Sequence, residues 1–258
     1  MNEEIFNNKG KIYAKYRPTY PRSLFNYLHC EYDLNSSSKI ADIGSGTGIF
    51  SKCLSEYCNT IYAVEPNEDM RNAAKRVISN HHNIISINGT AENTTLSNKS
   101  VDFVTAAQSF HWFDRQIFKT ECKRILKQNG KVILIWNCRD ENDDIVLTID
   151  NINRKYCPDF SGTYNGMRGE KTKNDFSDFF FEEYEIKLFE NHLELNEEYF
   201  IGWHLSASYC PNPNESTYLP YINELKSLDE SEKILLIPLG RAVEEVLLKL
   251  KENGIIKE

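Results

Sequence analysis

Short apolar segments alternate with segments of helical spacing through the first half of the chain. Each apolar segment ends in polar residues or glycine, and each following segment carries its apolar side chains three and four positions apart. This alternation is typical of parallel strands joined by helices in right-handed crossovers. The pattern therefore predicts an α/β fold with a doubly wound, mostly parallel sheet. Its first five strands are predicted at 39–43, 60–64, 84–87, 101–106 and 131–136.

The alternation stops after position 139. A helix is predicted at 142–156, and a glycine-containing loop separates it from a sixth strand at 182–189. Residues 233–239, KILLIPL, are the candidate for one further strand. Further helices are predicted at 197–209, 216–228 and 241–251.

A glycine-rich turn follows the first predicted strand, with glycine at alternate positions of GSGTG, residues 44–48. Glycine lets a ligand approach the backbone closely, and the helix behind the turn directs free N–H groups toward it. A dinucleotide fingerprint has a further glycine where this chain has Ile49. Asp42, just before the turn, is unfavourable beside a pyrophosphate but suits a ligand with an amino group. Glu65 ends the second strand, where an acid can accept ribose hydroxyls from either class of ligand.

Composition and charge limit the possible partners. The chain has 38 acidic and 30 basic residues among 258, a formal net charge of -8, which argues against nucleic acid as a partner. No apolar stretch is long enough for a membrane span, and the polar N-terminus is unlike a secretory signal. Seven cysteines, an odd number without CxxC spacing, indicate reduced thiols and a cytoplasmic protein, and the six histidines show no metal-ligand spacing. We expect no metal, and a monomer or homodimer.

Several motifs at the predicted strand ends resemble those of one family. DIGSGTG, VEPNEDM, GTAE, AAQSFHWFD and LKQNGKVILIW follow one another in the order found in class I S-adenosylmethionine-dependent methyltransferases. The N-terminal YAKYRPTYP and the FHWF segment resemble a small-molecule branch that includes trans-aconitate-type methyltransferases. The resemblance covers about residues 13–139.

The resemblance implies a seven-stranded, Rossmann-like sheet with helices on both faces and a helical C-terminal lid. It divides the chain into an N-terminal flap (1–34), a core that binds S-adenosyl-L-methionine (35–139) and lid helices with the late strands (140–258). The turn would cradle the methionine part of the cofactor, and Glu65 would hold the ribose. Arg17, from the flap, would meet the carboxylate. The implied cofactor contacts are Tyr13, Arg17, Asp42, Gly44, Ser45, Gly46, Thr47, Gly48, Glu65, Pro66, Met70, Ala91, Glu92 and Gln108.

The motif after the fourth strand supplies the candidates for the acceptor side. His111 is the titratable side chain in this motif that suits a general base, and its alternative role is packing or positioning beside Trp112. A base is needed only if the acceptor must lose a proton. The catalytic candidates are Gln108, His111 and Trp112, and the substrate candidates are Phe110, His111, Arg139, Trp203 and Tyr209.

The sequence therefore predicts methyl transfer to a small-molecule acceptor, a carboxylate or a hydroxyl, by in-line displacement. Three alternatives stay open at this point. The acceptor could be an RNA or a protein, the cofactor could be a nicotinamide dinucleotide in an oxidoreductase, or the protein could bind the cofactor without catalysis. The charge disfavours RNA, and Ile49 disfavours the dinucleotide.

Overall fold

A parallel sheet forms the centre of the protein. The structure, a computed structural model, describes residues 9–137, 143–160, 162, 176–180, 184–229, 235–239 and 243–249. The parallel strands are β1 (Lys39–Ile43), β2 (Thr60–Val64), β3 (Ile84–Ile87), β4 (Val101–Ala107) and β5 (Leu126–Asn137). They lie in the order β3-β2-β1-β4-β5, so the direction of winding reverses between β1 and β4. The predicted parallel α/β architecture is confirmed.

Helices cover both faces of this sheet because successive strand residues point in opposite directions. In β5, Val132 and Leu134 belong to one apolar core, while Ile133 and Ile135 belong to the other. Helices α5 and α7 pack on the first core, and α2 and α3 pack on the second. The helices are α1 (Gly10–Tyr16), α2 (Arg22–Tyr32), α3 (Ile49–Leu54), α4 (Glu68–Val77), α5 (Arg115–Ile125), α6 (Asp144–Tyr156), α7 (Ser177–Phe180), α8 (Glu197–Leu205) and α9 (Tyr218–Lys226).

Helix α1 connects the parallel core to the C-terminal part of the chain by packing against both α4 and α8. A Cβ on Gly10 would lie 3.0 Å from the carbonyl oxygen of Asp69 in α4. A Cβ on Gly202 in α8 would overlap the ring of Tyr16, so the glycine provides the space that this ring fills. The predicted flap is therefore a short helix wedged between two parts of the fold.

The end of the chain differs from the prediction in two places. Within the helix predicted at 241–251, the described residues Val243–Lys249 form a strand instead, β9, which is antiparallel to both β5 and the short β6 (Glu185–Lys187). The sheet therefore continues as β5-β9-β6 and has seven strands in all. The strand within 233–239, β8 (Leu235–Leu239), does not join this sheet but pairs with β7 (Asn191–Leu195) in a separate two-stranded sheet. Apolar spacing that fits a helix is overridden here by pairing with a central strand.

Several predicted boundaries also move. Helix α8 ends at Leu205 rather than at position 209, and β5 begins at Leu126 rather than at position 131. Asn129, which has a φ of +64°, therefore lies inside β5. Asn129 lies where the pairing of β5 with β4 shifts register, because Val101 pairs with Leu126 but Phe103 pairs with Lys131. The strand β5 therefore contains a local irregularity of the β-bulge kind instead of starting after it.

Candidate functional site

The glycine turn after β1 has a backbone that only glycine adopts readily. Gly44, Gly46 and Gly48 have φ values of +64°, +56° and +79°. A Cβ on Gly44 would lie 2.6 Å from Cβ of Ser109, so Gly44 is needed for close packing against the segment after β4. A Cβ on Gly46 would have no atom within 4 Å. The turn thus has one packed glycine and one that borders open space, which leaves room for a ligand at Gly46.

Asp42 lies at the core side of this turn and is fully buried. Its carboxylate accepts hydrogen bonds from the hydroxyls of Ser51 (2.5 Å) and Thr105 (3.0 Å). Burial raises its pKa to about 6, although the hydroxyls act in the opposite direction. We call Asp42, Ser51 and Thr105 the closed triad. Because its carboxylate oxygens already accept bonds within the fold, Asp42 supports the turn from inside.

Glu65, at the end of β2, joins the turn to the next strand end. One carboxylate oxygen accepts the amide N–H of Gly46 and the other accepts that of Asn67, both at 2.9 Å. Its side chain is 8% exposed, so the carboxylate borders the surface while most of it is enclosed. The amide of Ser45 donates to the carbonyl of Val64 at 3.1 Å and fixes the same junction. Glu65 is therefore held at the turn by two backbone amides.

The residues expected around an adenine lie next to this junction. Pro66 is half-buried, and Met70 is buried in the first turn of α4, where its amide is capped by Asn67. Ala91 is buried, and the carboxylate of Glu92 accepts the amide N–H of Asp114 at 2.9 Å. Glu92 thus ties the loop after β3 to the start of α5.

The segment after β4 begins with a strained residue. Gln108 has a φ of +58°, which is unusual for a residue with a side chain, and it is half-buried. The hydroxyl of Ser109 donates to the carbonyl of Ile43 at 2.8 Å and binds this segment to the end of β1. Phe110 is 1% exposed and packs in the core, whereas Trp112 is only partly buried. Phe110 is therefore part of the core, and Trp112 is the more accessible aromatic ring.

Three buried polar atoms around the turn have no hydrogen-bond partner among the described residues. They are Nε of Arg17, Oγ1 of Thr47 and Nδ1 of His111. Burial and then the charge of Arg17 lower the pKa of His111 to about 4, so its imidazole is neutral at pH 7. We call Arg17, Thr47 and His111 the open triad. Buried polar atoms normally have partners, so an unsatisfied set beside an open glycine turn indicates a ligand site.

The remaining predicted residues are only partly brought to this site. The guanidinium of Arg17 lies 4.6 Å from the centre of the Tyr13 ring and donates to the carbonyl of Ser206 at 3.2 Å. Trp203 and Tyr209 belong to a separate C-terminal apolar cluster, where Tyr209 packs edge-on against Phe160. Arg139 lies outside the described residues. The C-terminal part of the chain thus meets the site at a backbone carbonyl, after the end of α8.

The sequence prediction missed three residues that hold the site together. Ser51 and Thr105 satisfy Asp42, and Ser109 joins the ends of β1 and β4. A buried acid in a strand signals a need for donors, but only the folded chain shows which hydroxyls supply them. Ser109 follows a predicted strand end, and this position is the one signal that could have identified it.

Two kinds of feature are absent from the described part of the chain. No group of three or more histidine, cysteine, aspartate or glutamate side chains there could hold a metal ion. Every helix there is too short or too polar to span a bilayer.

The fold and the site together define a class of protein. The turn with Thr47, Glu65 and His111 follow the carboxyl ends of β1, β2 and β4, and the winding of the sheet reverses between β1 and β4. This is the place where doubly wound α/β proteins bind nucleotide-like ligands. An acid held at the end of β2 and a turn that begins α3 at Ile49 match a cofactor with adenosine but without a pyrophosphate.

Comparisons with known proteins identify a methyltransferase-like region within the chain. Residues 41–134 match the methyltransferase domain family. An uncharacterized methyltransferase of Schizosaccharomyces pombe is 34% identical over 131 residues, which are 50% of this chain and 51% of that protein. A probable S-adenosylmethionine-dependent methyltransferase of Saccharomyces cerevisiae is 25% identical over 88% of this chain and 90% of its own. Residues 41–134 are thus similar to a methyltransferase domain, and the cofactor that these similarities indicate is S-adenosylmethionine.

Solved structures show the same fold. A crystal structure of a methyltransferase candidate from an antibiotic biosynthesis pathway of Anabaena variabilis has a TM-score of 0.64 and 20% identity. It covers 88% of this chain and 97% of its own, so the similarity extends beyond the matched domain. The sequence matches to the first curated relatives span about half of those proteins.

Proposed function

We propose that the protein transfers a methyl group from S-adenosylmethionine to a small-molecule acceptor. The observation that carries this proposal is the open triad beside Gly46. Its buried polar atoms lack partners in the described fold, and the glycine leaves space for a ligand to supply them. The methyltransferase comparisons indicate which ligand the site is built for.

The residues at the turn fit this cofactor. The carboxylate of Glu65 is held at the turn by two backbone amides, at the strand end where an acid can accept ribose hydroxyls. Thr47 and the backbone of 44–48 hold the amino acid part, and Pro66, Met70 and Ala91 enclose the adenine. Asp42 acts through the turn, because its oxygens are occupied by Ser51 and Thr105.

Little acid–base chemistry is required of these residues. The sulfonium of the bound cofactor supplies an already activated methyl group. The protein has to align donor and acceptor and exclude water, and alignment alone can contribute about 7–11 kcal/mol. Gln108, His111 and Trp112, at the end of β4, are placed to form the acceptor side.

The region beyond 140 is proposed to act as a lid over this site. Ser206, after α8, bonds to Arg17 of the flap, and Tyr16 of α1 packs on Gly202 of α8. These contacts bring the flap and the C-terminal part together at the open triad. Exclusion of water would follow from this closure.

Calorimetry with S-adenosylhomocysteine tests the proposal. We expect binding by the wild-type protein and weaker binding by Glu65→Gln, which keeps the size of the side chain but removes its charge. Glu68→Gln, at an exposed position three residues away, is the control and should bind like wild type. Failure of the wild-type protein to bind would contradict the proposed function, and unchanged affinity of Glu65→Gln would remove Glu65 from the site.

A further inference from the structure

The seven-stranded sheet ends at β6, which has a strand on one side only in the described part of the chain. An edge strand presents backbone N–H and C=O groups with which another strand can pair. All three residues of β6 are exposed. Two apolar side chains of this edge, Ile186 and Leu188, are 37% and 46% exposed. The edge is therefore accessible both along its backbone and at its apolar side chains.

Two charged side chains of β6 lie on the face of the sheet that α2 covers. The carboxylate of Glu185 accepts hydrogen bonds from the hydroxyls of Tyr27 (2.9 Å) and Tyr32 (2.8 Å), both in α2. Lys187 is two residues further on and therefore shares this face, with its Nζ 5.3 Å from the centre of the Tyr27 ring. Neither charge forms an ion pair with a described residue. An acid and a base thus lie side by side on an exposed edge.

The order of residues 184–188, Tyr-Glu-Ile-Lys-Leu, is complementary to itself. If two copies pair antiparallel about a two-fold axis at Ile186, Glu185 of each copy lies opposite Lys187 of the other. Ile186 then faces Ile186, and Tyr184 faces Leu188. Unlike charges that lie directly opposite each other stabilise a strand pair, and like charges destabilise it. Charges on an edge strand usually discourage pairing, but this order brings unlike charges together.

We propose that the protein forms a homodimer in which the β6 strands of two copies pair antiparallel and join their sheets into one. Such a contact is the same on both copies and closes on itself, so it stops at the dimer. A shift by two residues would bring Glu185 opposite Glu185 or Lys187 opposite Lys187, so the charges also fix the register. A contact centred on so short a strand is small, and the dimer is therefore reversible and depends on protein concentration.

The proposed interface lies far from the glycine turn. Strands β4, β5 and β9 stand between β1 and β6. At the usual spacing of strands, β1 and β6 are about 19 Å apart. The interface therefore does not include the turn, and the proposal does not depend on the proposed function.

Sedimentation velocity with charge-reversed variants tests the proposal. The wild-type protein should shift from 30.0 kDa to twice that mass as its concentration rises. Glu185→Lys and Lys187→Glu each place like charges opposite each other, so each should weaken dimerisation about tenfold. An equimolar mixture of these two variants should regain the dimer, because every opposed pair is again unlike. Mixing would not repair a fold that a substitution had damaged, so the recovery reports the interface itself.

The opposite edge of the same sheet provides a matched control. Ile85, in β3, is 43% exposed. Ile186→Lys should abolish the dimer, whereas Ile85→Lys should preserve it, and urea denaturation should show that both variants are folded. Loss of the dimer in Ile85→Lys but not in Ile186→Lys would overturn the proposal by assigning the contact to β3.

Two further results would contradict the proposed dimer. One is a mixture of Glu185→Lys and Lys187→Glu that dimerises no better than either variant alone. The other is a wild-type protein of 30.0 kDa at every concentration, which would leave a strand of another protein as the occupant of this edge.

Discussion

The closed triad and the open triad are polar groups close to the same turn, but they differ in how their hydrogen bonds are satisfied. In the closed triad, Ser51 and Thr105 both donate to the buried carboxylate of Asp42. In the open triad, a buried atom of each residue has no partner in the described fold. The difference separates two roles, because satisfied polar groups stabilise the fold, whereas unsatisfied ones reduce stability until a ligand arrives.

The comparison predicts that substitutions in the two triads affect stability and ligand affinity differently. Changes in the closed triad should affect the free energy of unfolding first and ligand affinity second. Changes in the open triad should weaken ligand binding without lowering stability. The glycines of the turn show the same division, since Gly44 is packed and Gly46 borders open space.

The largest expected effect is that of Gly44→Ala. The new Cβ would lie 2.6 Å from Cβ of Ser109, and the φ of +64° is strained for alanine. The two effects together should lower the free energy of unfolding by about 3 kcal/mol, measured by urea denaturation. Gly46→Ala is the matched control, with similar backbone strain but no overlap, and should lose only about 1 kcal/mol. Equal losses in the two variants would contradict the division of the turn.

A smaller loss is expected from Thr105→Val, which removes one donor from Asp42 without changing the shape of the side chain. A hydrogen bond to a charged group contributes about 1.5–3 kcal/mol, and this should be the loss at pH 8. Thr120→Val provides the control, because the hydroxyl of Thr120 is exposed and bonds to a helix carbonyl. If both variants unfold alike, the closed triad does not stabilise the fold through Asp42.

A smaller effect still is expected from Asp42→Asn, and this effect should depend on pH. The folded-state pKa of Asp42 is about 6, above its unfolded value of about 4. This group therefore lowers the stability of the folded state as the pH rises from about 4 to about 6 and changes it little above that. This group alone should lower the free energy of unfolding by about 1–2 kcal/mol between pH 5 and pH 8. Asp42→Asn removes this contribution. The free energy of unfolding of the variant, relative to that of the wild type, should therefore rise between pH 5 and pH 8. A difference between the two proteins that does not vary with pH would show that Asp42 has an ordinary pKa.

The two triads also show how far the sequence could predict this molecule. The five parallel strands and the glycine turn follow from local patterns, because buried strands and positive-φ glycines are determined over a few residues. The partners of Asp42 are distant in the chain, and Thr105 is 63 positions away. The strand at Val243–Lys249 was predicted as a helix because its spacing permits either structure and only pairing with β5 decides. Long-range contacts therefore set what the local pattern left undetermined.

Arg17 illustrates the same limit within the candidate site. The sequence placed it in a flap with a possible ligand contact, and its position could not be derived from spacing. Its location depends on α1 fitting between α4 and α8, where Gly10 and Gly202 allow close approach. Neither glycine stands in a motif that marks a site. The position of Arg17 is therefore a property of the tertiary fold.

The smallest loss of stability is expected from Thr47→Val. Its hydroxyl is buried and makes no hydrogen bond in the described fold, so its removal should not lower the free energy of unfolding. Affinity for S-adenosylhomocysteine should fall by up to about tenfold, the value of one net hydrogen bond. Thr47→Ser keeps the hydroxyl and should retain affinity, which separates the hydrogen bond from the methyl group. A loss of stability as large as that of Thr105→Val, with unchanged affinity, would place Thr47 with the closed triad and remove the distinction between the two groups.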